Sequence, residues 1–173
     1  MSSLKKIDEE IVTAAVASVT LTGIDSTYDV YMLKVNNAEL DSATQQSLGI
    51  RVTVSGTADS TANYDTAKKN MRSSASFINE GNTNQTSFQF ANQLNTTTQI
   101  QSNAILYLFN FYNASEYSFA TNEATEFRYN SELYGRQGGF VHKVAQACDG
   151  VNIFAVSGAN IDKGTFTLYG LKK

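Results

Sequence analysis

The sequence predicts an all-β protein, a single antiparallel β-sandwich of jelly-roll-like architecture with eight to ten strands and little helix. Three observations lead to this prediction. Apolar and polar residues alternate with period two along much of the chain, which is typical of half-buried strands. Short clusters of Gly, Asn, Asp and Ser separate these runs. The chain has 173 residues, a length that accommodates one domain with its own core.

The first third of the chain contains three clear strands. In residues 15–21, Ala, Val and Leu alternate with Ser and Thr, as a strand with one wet face requires. Residues 28–35 carry bulky side chains on both faces, which predicts a central strand that is covered on both sides. Residues 50–54 alternate again, and we expect Ser55-Gly56 to form the turn that ends this strand.

The segment from 57 to 84 has a weaker pattern. Residues 62–72 contain Ala, Lys and Met, which favour a short helix only slightly. Residues 73–78 and 87–91 resemble strand fragments, whereas 79–82 are expected to form a turn and 92–98 a loop.

Strand patterns return in the second half. Residues 104–112 and 126–133 alternate as strands, and the glycine-rich residues 135–139 are expected to form a loop. The last two runs, 152–157 and 165–171, are separated by a Gly-containing segment and predict a hairpin with a longer loop.

The domain organisation follows from the same patterns. Residues 1–12 are charged and then apolar, and they precede the first clear strand. We therefore expect an N-terminal arm over residues 1–12, which orders on a neighbouring subunit, and one sandwich domain over residues 13–173. The sequence shows no internal repeat and no linker between halves.

Composition argues against several classes of protein. The net charge is −3 and charged residues make up 17% of the chain, so we expect no nucleic-acid partner. No run is long and apolar enough for a membrane-spanning helix, and residues 1–10 lack the apolar stretch of a secretory signal. The one cysteine cannot form an intramolecular disulfide, which fits synthesis in a reducing cytoplasm.

Candidate catalytic residues are few. His142 is the only histidine and Cys148 the only cysteine, so a Cys–His dyad is formally possible. Lone cysteines are usually buried and inert, and we expect both residues to be structural. Glu123 and Glu126, or the acidic run at residues 8–10, would need to share a cleft to cleave a glycosidic bond, and nothing in the sequence places them so. We expect no catalytic residues and no enzymatic activity.

Motifs for cofactors and metals are also weak. Four aspartates (Asp25, Asp29, Asp41 and Asp59) lack the spacing of a calcium loop. Residues 135–139 resemble a phosphate-binding loop only in glycine content, because no Lys-Ser or Lys-Thr pair follows. The cluster of Lys68, Lys69 and Arg72 is too small for specific nucleic-acid binding. We expect no cofactor and no metal ion.

Aromatic residues are more suggestive. The chain has nine Tyr and ten Phe, which at strand spacing usually belong to a core or a subunit interface. Where exposed, such rings could stack on sugars. Tyr112 and Tyr117 are the candidate contacts for a glycan or a protein partner.

Three segments resemble a known family. The sequence TGIDSTYDVY at residues 22–31 is similar to the opening of a group of small virion proteins of marine, largely cyanobacterial, tailed bacteriophages. The segment NIDKGTFTLYGLK at residues 160–172 resembles their closing strands, and ILYLFN at 105–110 resembles their central apolar strand. Residues 57–94 match no part of that family, and the Asn-Pro often expected after the central strand is Asn110-Phe111 here.

The resemblance implies a non-enzymatic virion structural protein, displayed in several copies on the capsid exterior or the tail as a decoration or fibre-type subunit. Its partners would be other phage structural proteins and further copies of itself, and it would be synthesised in the host cytoplasm. The alternative is a carbohydrate- or receptor-binding module at the tip of a tail fibre. A hydrolase is the weakest of the three hypotheses.

The complete absence of proline bears on assembly. Natural sheets often place proline on edge strands, where it blocks unwanted pairing. A chain with 0 Pro leaves its edges open, which suits edges that neighbouring subunits cover.

Overall fold

The computed structural model describes residues 3–94, 101–128 and 131–172, and within these ranges the chain forms thirteen β-strands and no helix. The strands are β1 (Leu4–Val12), β2 (Ser18–Thr22), β3 (Val30–Leu40), β4 (Gln46–Val54), β5 (Thr57–Ala58), β6 (Tyr64–Arg72), β7 (Phe77–Gln85), β8 (Phe88–Leu94), β9 (Ser102–Phe109), β10 (Ser118–Phe127), β11 (Leu133–His142), β12 (Gly150–Ala155) and β13 (Ile161–Leu171). In the described residues, then, no helix is available that could span a membrane.

The strands form two antiparallel sheets. The large sheet has eight strands in the order β1-β13-β3-β9-β10-β11-β6-β7. The small sheet has the order β2-β12-β4-β5, and β8 also pairs with β4. This sandwich-like, jelly-roll-like arrangement confirms the predicted fold class. The strands outnumber the expected eight to ten, because several segments assigned to helix, turn or loop are extended.

The core lies between the sheets and contains one alternate set of side chains from each strand. Leu33 and Val35 of β3 and Leu106 and Leu108 of β9 face Ile50 and other apolar residues of the small sheet, and all five are at most 1% exposed. Each such aliphatic side chain contributes roughly 1.5–3 kcal/mol when it leaves water. The period-two pattern of the sequence therefore specifies which face of each strand is buried.

The N-terminal segment differs from its prediction. Strand β1 pairs with β13 from Leu4, opposite Leu171, to Val12, opposite Gly164, with a bulge between Lys6 and Asp8. Within the segment 1–12, which was expected to form an arm that orders on a neighbouring subunit, Leu4–Val12 instead pair with a strand of their own chain. The charged residues of this segment did not indicate a strand. Lys6 and Glu9 lie on the solvent side of the sheet, while their backbone pairs with β13.

Strand β3 confirms the predicted central position, but its second side is only partly covered, because Lys34 lies on the exposed side of the sheet. It lies between β13 and β9, and Tyr31 and Leu33 are buried towards the core while Met32 is buried on the opposite side. Residues 22–31 and 160–172 meet here. Gly170 of β13 is opposite Tyr31, and a Cβ atom on Gly170 would lie 2.4 Å from the ring of Tyr28.

Three local predictions are wrong. The segment 62–72, expected to favour a helix, contains β6. The expected turn at 79–82 lies within β7, and the expected loop at 135–139 is the centre of β11. In each case polar or glycine residues continue a strand because a neighbouring strand pairs with them. Of the expected loop at 92–98, residues 92–94 belong to β8 and 95–98 lie outside the described residues.

The predicted terminal hairpin is also wrong. Strand β12 pairs with β2 and β4 of the small sheet, whereas β13 pairs with β1 and β3 of the large sheet. The segment between them crosses from one sheet to the other. The predicted turn at Ser55-Gly56 is confirmed: Val54 pairs with Thr57, and both turn residues have positive φ, 51° and 73°.

Candidate functional site

The broadest exposed feature is the side of the large sheet that faces away from the small sheet, which we call the outer face. Strand β10 illustrates it, because its residues alternate strictly between buried and exposed. Phe119, Thr121, Glu123, Thr125 and Phe127 are the exposed set. The outer face is formed by these residues together with Met32, Lys34, Ile105, Tyr107, Ala67, Lys69, Met71, Gly135, Gln137 and Gly139.

A central depression of about 520 Å³ lies on the outer face across β3, β9, β10, β11 and β6. Strand register places Lys34 opposite Ile105, Ile105 opposite Glu123, and Glu123 opposite Gln137. From β3 to β11, this row of cross-strand neighbours therefore consists of a cation, an apolar side chain, a carboxylate and an amide. Gln137 Nε2 donates a hydrogen bond to Glu123 Oε1 at 3.3 Å, which orients both groups.

A lateral depression of about 610 Å³ lies beside it across β10, β11, β6 and β7. Its floor is formed by small residues, namely Ala67, Gly81 and Gly139, and Phe119 stands at its side, 45% exposed. Gly139 is required by close packing, because a Cβ atom there would lie 2.1 Å from the carbonyl oxygen of Ala120. The hollow thus results from small side chains, of which Gly139 also allows the strands to come close together.

Charged side chains divide between the two sides of the large sheet. Lys68 faces the interior, where its Nζ lies 3.1 Å from Glu80 Oε2 and donates to Gln89 O at 3.1 Å. Lys69 faces outward, with its Nζ 4.7 Å from the centre of the Phe77 ring. The basic cluster noted in the sequence is therefore not one surface patch, because strand alternation separates its members.

Glu123 and Glu126, the two carboxylates considered for glycosidic cleavage, also lie on opposite sides of the large sheet. Glu123 is exposed on the outer face, whereas Glu126 is 3% exposed in the interior and pairs with Arg136. Residues three apart on a strand lie on opposite faces. Glu9 of the acidic run binds Lys6 and Thr167, and the hydrogen bond from Lys6 is the main cause of its lowered pKa.

His142 and Cys148 are both enclosed. His142 Nε2 lies 3.0 Å from Asp59 Oδ2, and its ring lies 4.8 Å from that of Tyr64. Burial lowers the pKa of His142. Cys148 is 0% exposed, and burial raises the pKa of its thiol to about 11. The imidazole is thus paired with a carboxylate that the sequence did not connect to it, while the thiol stays protonated at neutral pH.

Three of the four aspartates considered as calcium ligands have separate hydrogen-bonding partners, and the fourth, Asp29, lines a hollow together with Asp25. Asp25 accepts hydrogen bonds from Thr27 N and Tyr31 OH, while Asp41 binds Asn160 and Asp59 binds His142. Within the described ranges, no group of three or more His, Cys, Asp or Glu residues converges on a possible metal position.

Tyr112 and Tyr117 lie in the loop between β9 and β10 and are 47% and 46% exposed. They border different hollows: Tyr112 lines one of about 310 Å³ with Tyr28 and Asp29, and Tyr117 lines one of about 350 Å³ with Phe119. Phe111, 2% exposed, anchors the loop in the core. The candidate tyrosines are therefore accessible and held in place, but they do not form one platform.

The fold and this surface define the chain as an all-β sandwich with a broad, shallow sheet face. No protein-family model matches the chain, and no curated protein sequence matches it. Among solved structures it is similar to alginate lyase A1-II′, a member of polysaccharide lyase family 7, with a TM-score of 0.25 and 9% identity. That alignment covers 90% of this chain and 66% of the lyase chain, just under two thirds. A likeness at this TM-score carries no argument about function.

Proposed function

We propose that the protein is a non-enzymatic structural subunit of a bacteriophage virion, present in several copies on the capsid exterior or the tail as a decoration or fibre-type component. The observation that carries the proposal is the open edge of the large sheet at β7. Together with the resemblance of residues 22–31, 105–110 and 160–172 to phage virion proteins, this edge favours a subunit that associates through its strands.

Strand β7 is nine residues long, and seven of these residues are exposed. It is the last strand of the large sheet, so one side of its backbone has no partner strand among the described residues. Monomeric proteins usually protect such an edge with charges, proline or a covering segment. An assembled subunit satisfies the edge with a neighbouring chain. The outer face adds exposed apolar side chains suited to contact, including Ile105, Phe119 and Phe127.

Partners in this proposal are other phage structural proteins and further copies of the chain, and its location is the virion. Mass spectrometry of gradient-purified particles tests the proposal, followed by a cryo-EM map that locates the subunit. We expect the chain in the particle in multiple symmetric copies. Its recovery only from the soluble fraction of infected cells, with none in purified particles, would overturn the proposal.

A carbohydrate- or receptor-binding module at the tip of a tail fibre is the second candidate. The hollow beside Tyr112 favours it, because tyrosine rings, asparagine amides and two aspartates line that hollow, while amide groups also line the central depression. Such groups recognise sugar hydroxyls and the apolar faces of sugar rings.

A glycan array with the purified protein separates the two candidates. Tyr112→Ala and Tyr117→Ala test the loop, and Gln137→Ala tests the central depression, with Val156→Ala as a control at an exposed site elsewhere. Binding that is lost in one of the first three variants and kept in the control would support recognition. An array without signal for the wild-type protein would contradict it.

A further inference from the structure

The free edge of β7 is unusually uncharged. Its sequence, FINEGNTNQ, contains one charged residue, Glu80. That side chain turns inward, where Oε2 lies 3.1 Å from Lys68 Nζ and Oε1 accepts a hydrogen bond from Asn70 Nδ2 at 2.5 Å. The edge therefore offers a neighbouring strand backbone groups and neutral side chains.

The opposite edge of the same sheet is protected. Strand β1 carries Lys5, Lys6, Asp8, Glu9 and Glu10, and a bulge interrupts its ladder between Lys6 and Asp8. Charges and bulges are the usual means of preventing edge-to-edge pairing. Of the two edges of the large sheet, β7 is thus the one suited to pairing, and pairing with the charged β1 of another copy is disfavoured.

Two residues of β7 are poorly explained by contacts within their own chain, although Lys69 Nζ lies 4.7 Å from the centre of the Phe77 ring. Phe77 is 64% exposed, the largest value among the exposed large hydrophobic residues of the described chain. Gly81 has no positive φ, and the nearest atom to a Cβ at that position would be Thr66 O at an ordinary 3.7 Å. Neither backbone conformation nor packing in the monomer requires glycine there.

We propose that β7 pairs antiparallel with β7 of a second copy, with Asn79 opposite Asn79 and Phe77 opposite Gly81 of the partner chain. In this arrangement each Phe77 ring packs over the partner's glycine, a cross-strand contact known to protect edge glycines. The dimer has a two-fold axis perpendicular to the sheet, and the two large sheets become one sheet. The inference rests on the proposed function, since it names the contact through which copies associate.

The register follows from symmetry and charge. A two-fold axis perpendicular to the sheet keeps both outer faces on one side, so the central residue must face its own copy. Centring on Glu80 would place two carboxylates directly opposite, which is unfavourable. Centring on Gly81 would extend the ladder into the bulge near Asn84, whose φ is 54°. Centring on Asn79 avoids both problems.

The first test is cross-linking. Asn79→Cys places two thiols opposite each other across the axis, and opposed strand positions lie within disulfide reach. We expect this variant to form a disulfide dimer under mild oxidation, seen on non-reducing gels. Asn82→Cys, on the same strand, is the matched control and should remain uncross-linked. The native Cys148 is buried and does not interfere. Equal cross-linking at both positions would overturn the register.

The second test removes the ring contact without harming the monomer. Gly81→Val fits the free space beside Thr66 but fills the position of the partner's Phe77. Light scattering after size exclusion should show dimerisation weakened about tenfold or more, while circular dichroism and the melting temperature stay at wild-type values. Copies that associate with unchanged affinity in this variant would refute the edge contact and leave the proposed function standing. A wild-type protein that stays monomeric at millimolar concentration and is absent from virions would refute both.

Discussion

Glu126 and Arg136 form an ion pair inside the sandwich, with Oε1 of the carboxylate 3.0 Å from Nε of the guanidinium and side chains only 2% and 1% exposed. The backbone N–H of Asn92 on β8 donates to the other carboxylate oxygen at 2.7 Å. The pair therefore connects the large sheet to the small one. Burial raises the pKa of Glu126 despite the opposing effect of Arg136.

Removing one member of this pair should be costly. Arg136→Met leaves a buried carboxylate without its cation, and the expected loss of unfolding free energy is about 3–5 kcal/mol. Urea denaturation measures it. The double variant with Glu126→Gln should recover part of the loss, because no charge is then left unpaired. A single variant within about 1 kcal/mol of wild type would show that the pair is dispensable.

Stability should depend on pH through His142. Its folded-state pKa lies below the ordinary value of 6.5, chiefly because of burial, and Nδ1 is buried without a hydrogen-bond partner in the described chain. Between the lowered pKa and 6.5 the unfolded chain binds more protons, so stability falls as the pH drops through this window. Denaturation midpoints measured from about pH 7.5 to 5.5 should show this slope.

The variant His142→Gln tests whether His142 causes this pH dependence, because a glutamine amide can still donate a hydrogen bond to Asp59 but does not titrate. It should flatten the slope. In Asp59→Asn the histidine remains without its carboxylate, and the slope should persist or steepen. A slope unchanged in His142→Gln would assign the pH dependence to other groups.

Close packing around β11 predicts a contrast between two glycines. A Cβ atom on Gly138 would lie 2.3 Å from Ala67 O, so Gly138→Ala must push β6 and β11 apart. We expect a loss of about 1–3 kcal/mol. Gly81→Ala, where the nearest atom is 3.7 Å away, is the control and should leave the melting temperature of the monomer nearly unchanged. Equal effects of the two substitutions would contradict this account.

The turn between β4 and β5 should tolerate improvement. Ser55 and Gly56 both have positive φ, the geometry of a type I′ hairpin, in which Asn-Gly is preferred. Ser55→Asn should therefore raise the unfolding free energy by roughly 0.5 kcal/mol. Ser55→Val, a β-branched residue at positive φ, should lower it. Thermal denaturation of both variants tests the sign.

Period-two patterning predicted the fold class and the central position of β3, because burial acts on alternate residues wherever a sheet faces a core. The pattern did not identify β6, whose inward side includes the polar residues Lys68 and Asn70, both of which contact Glu80. A local pattern contains no sign of such a distant partner. The prediction of a terminal hairpin was wrong for a similar reason: β12 and β13 each pair with strands that are distant in the sequence.

The candidate surface was predictable only in part. Tyr112 and Tyr117, chosen from the sequence as contact candidates, are exposed. The central depression was missed because its residues come from five strands, and their register is set by pairing rather than by local sequence. The alternation of β10 was a usable signal, since it places Glu123 and Thr125 on one exposed side.

The position of β13 has a consequence for how the chain acquires its fold. The last strand lies between β1 and β3, two of the first strands to be made. The large sheet therefore cannot close before β13 has left the ribosome. Pairing between the ends of the chain also slows folding, because distant segments must meet first. These 173 residues contain no X-Pro bond, so no proline isomerisation within them delays this step, and folding should proceed as one phase set by the arrival of β13.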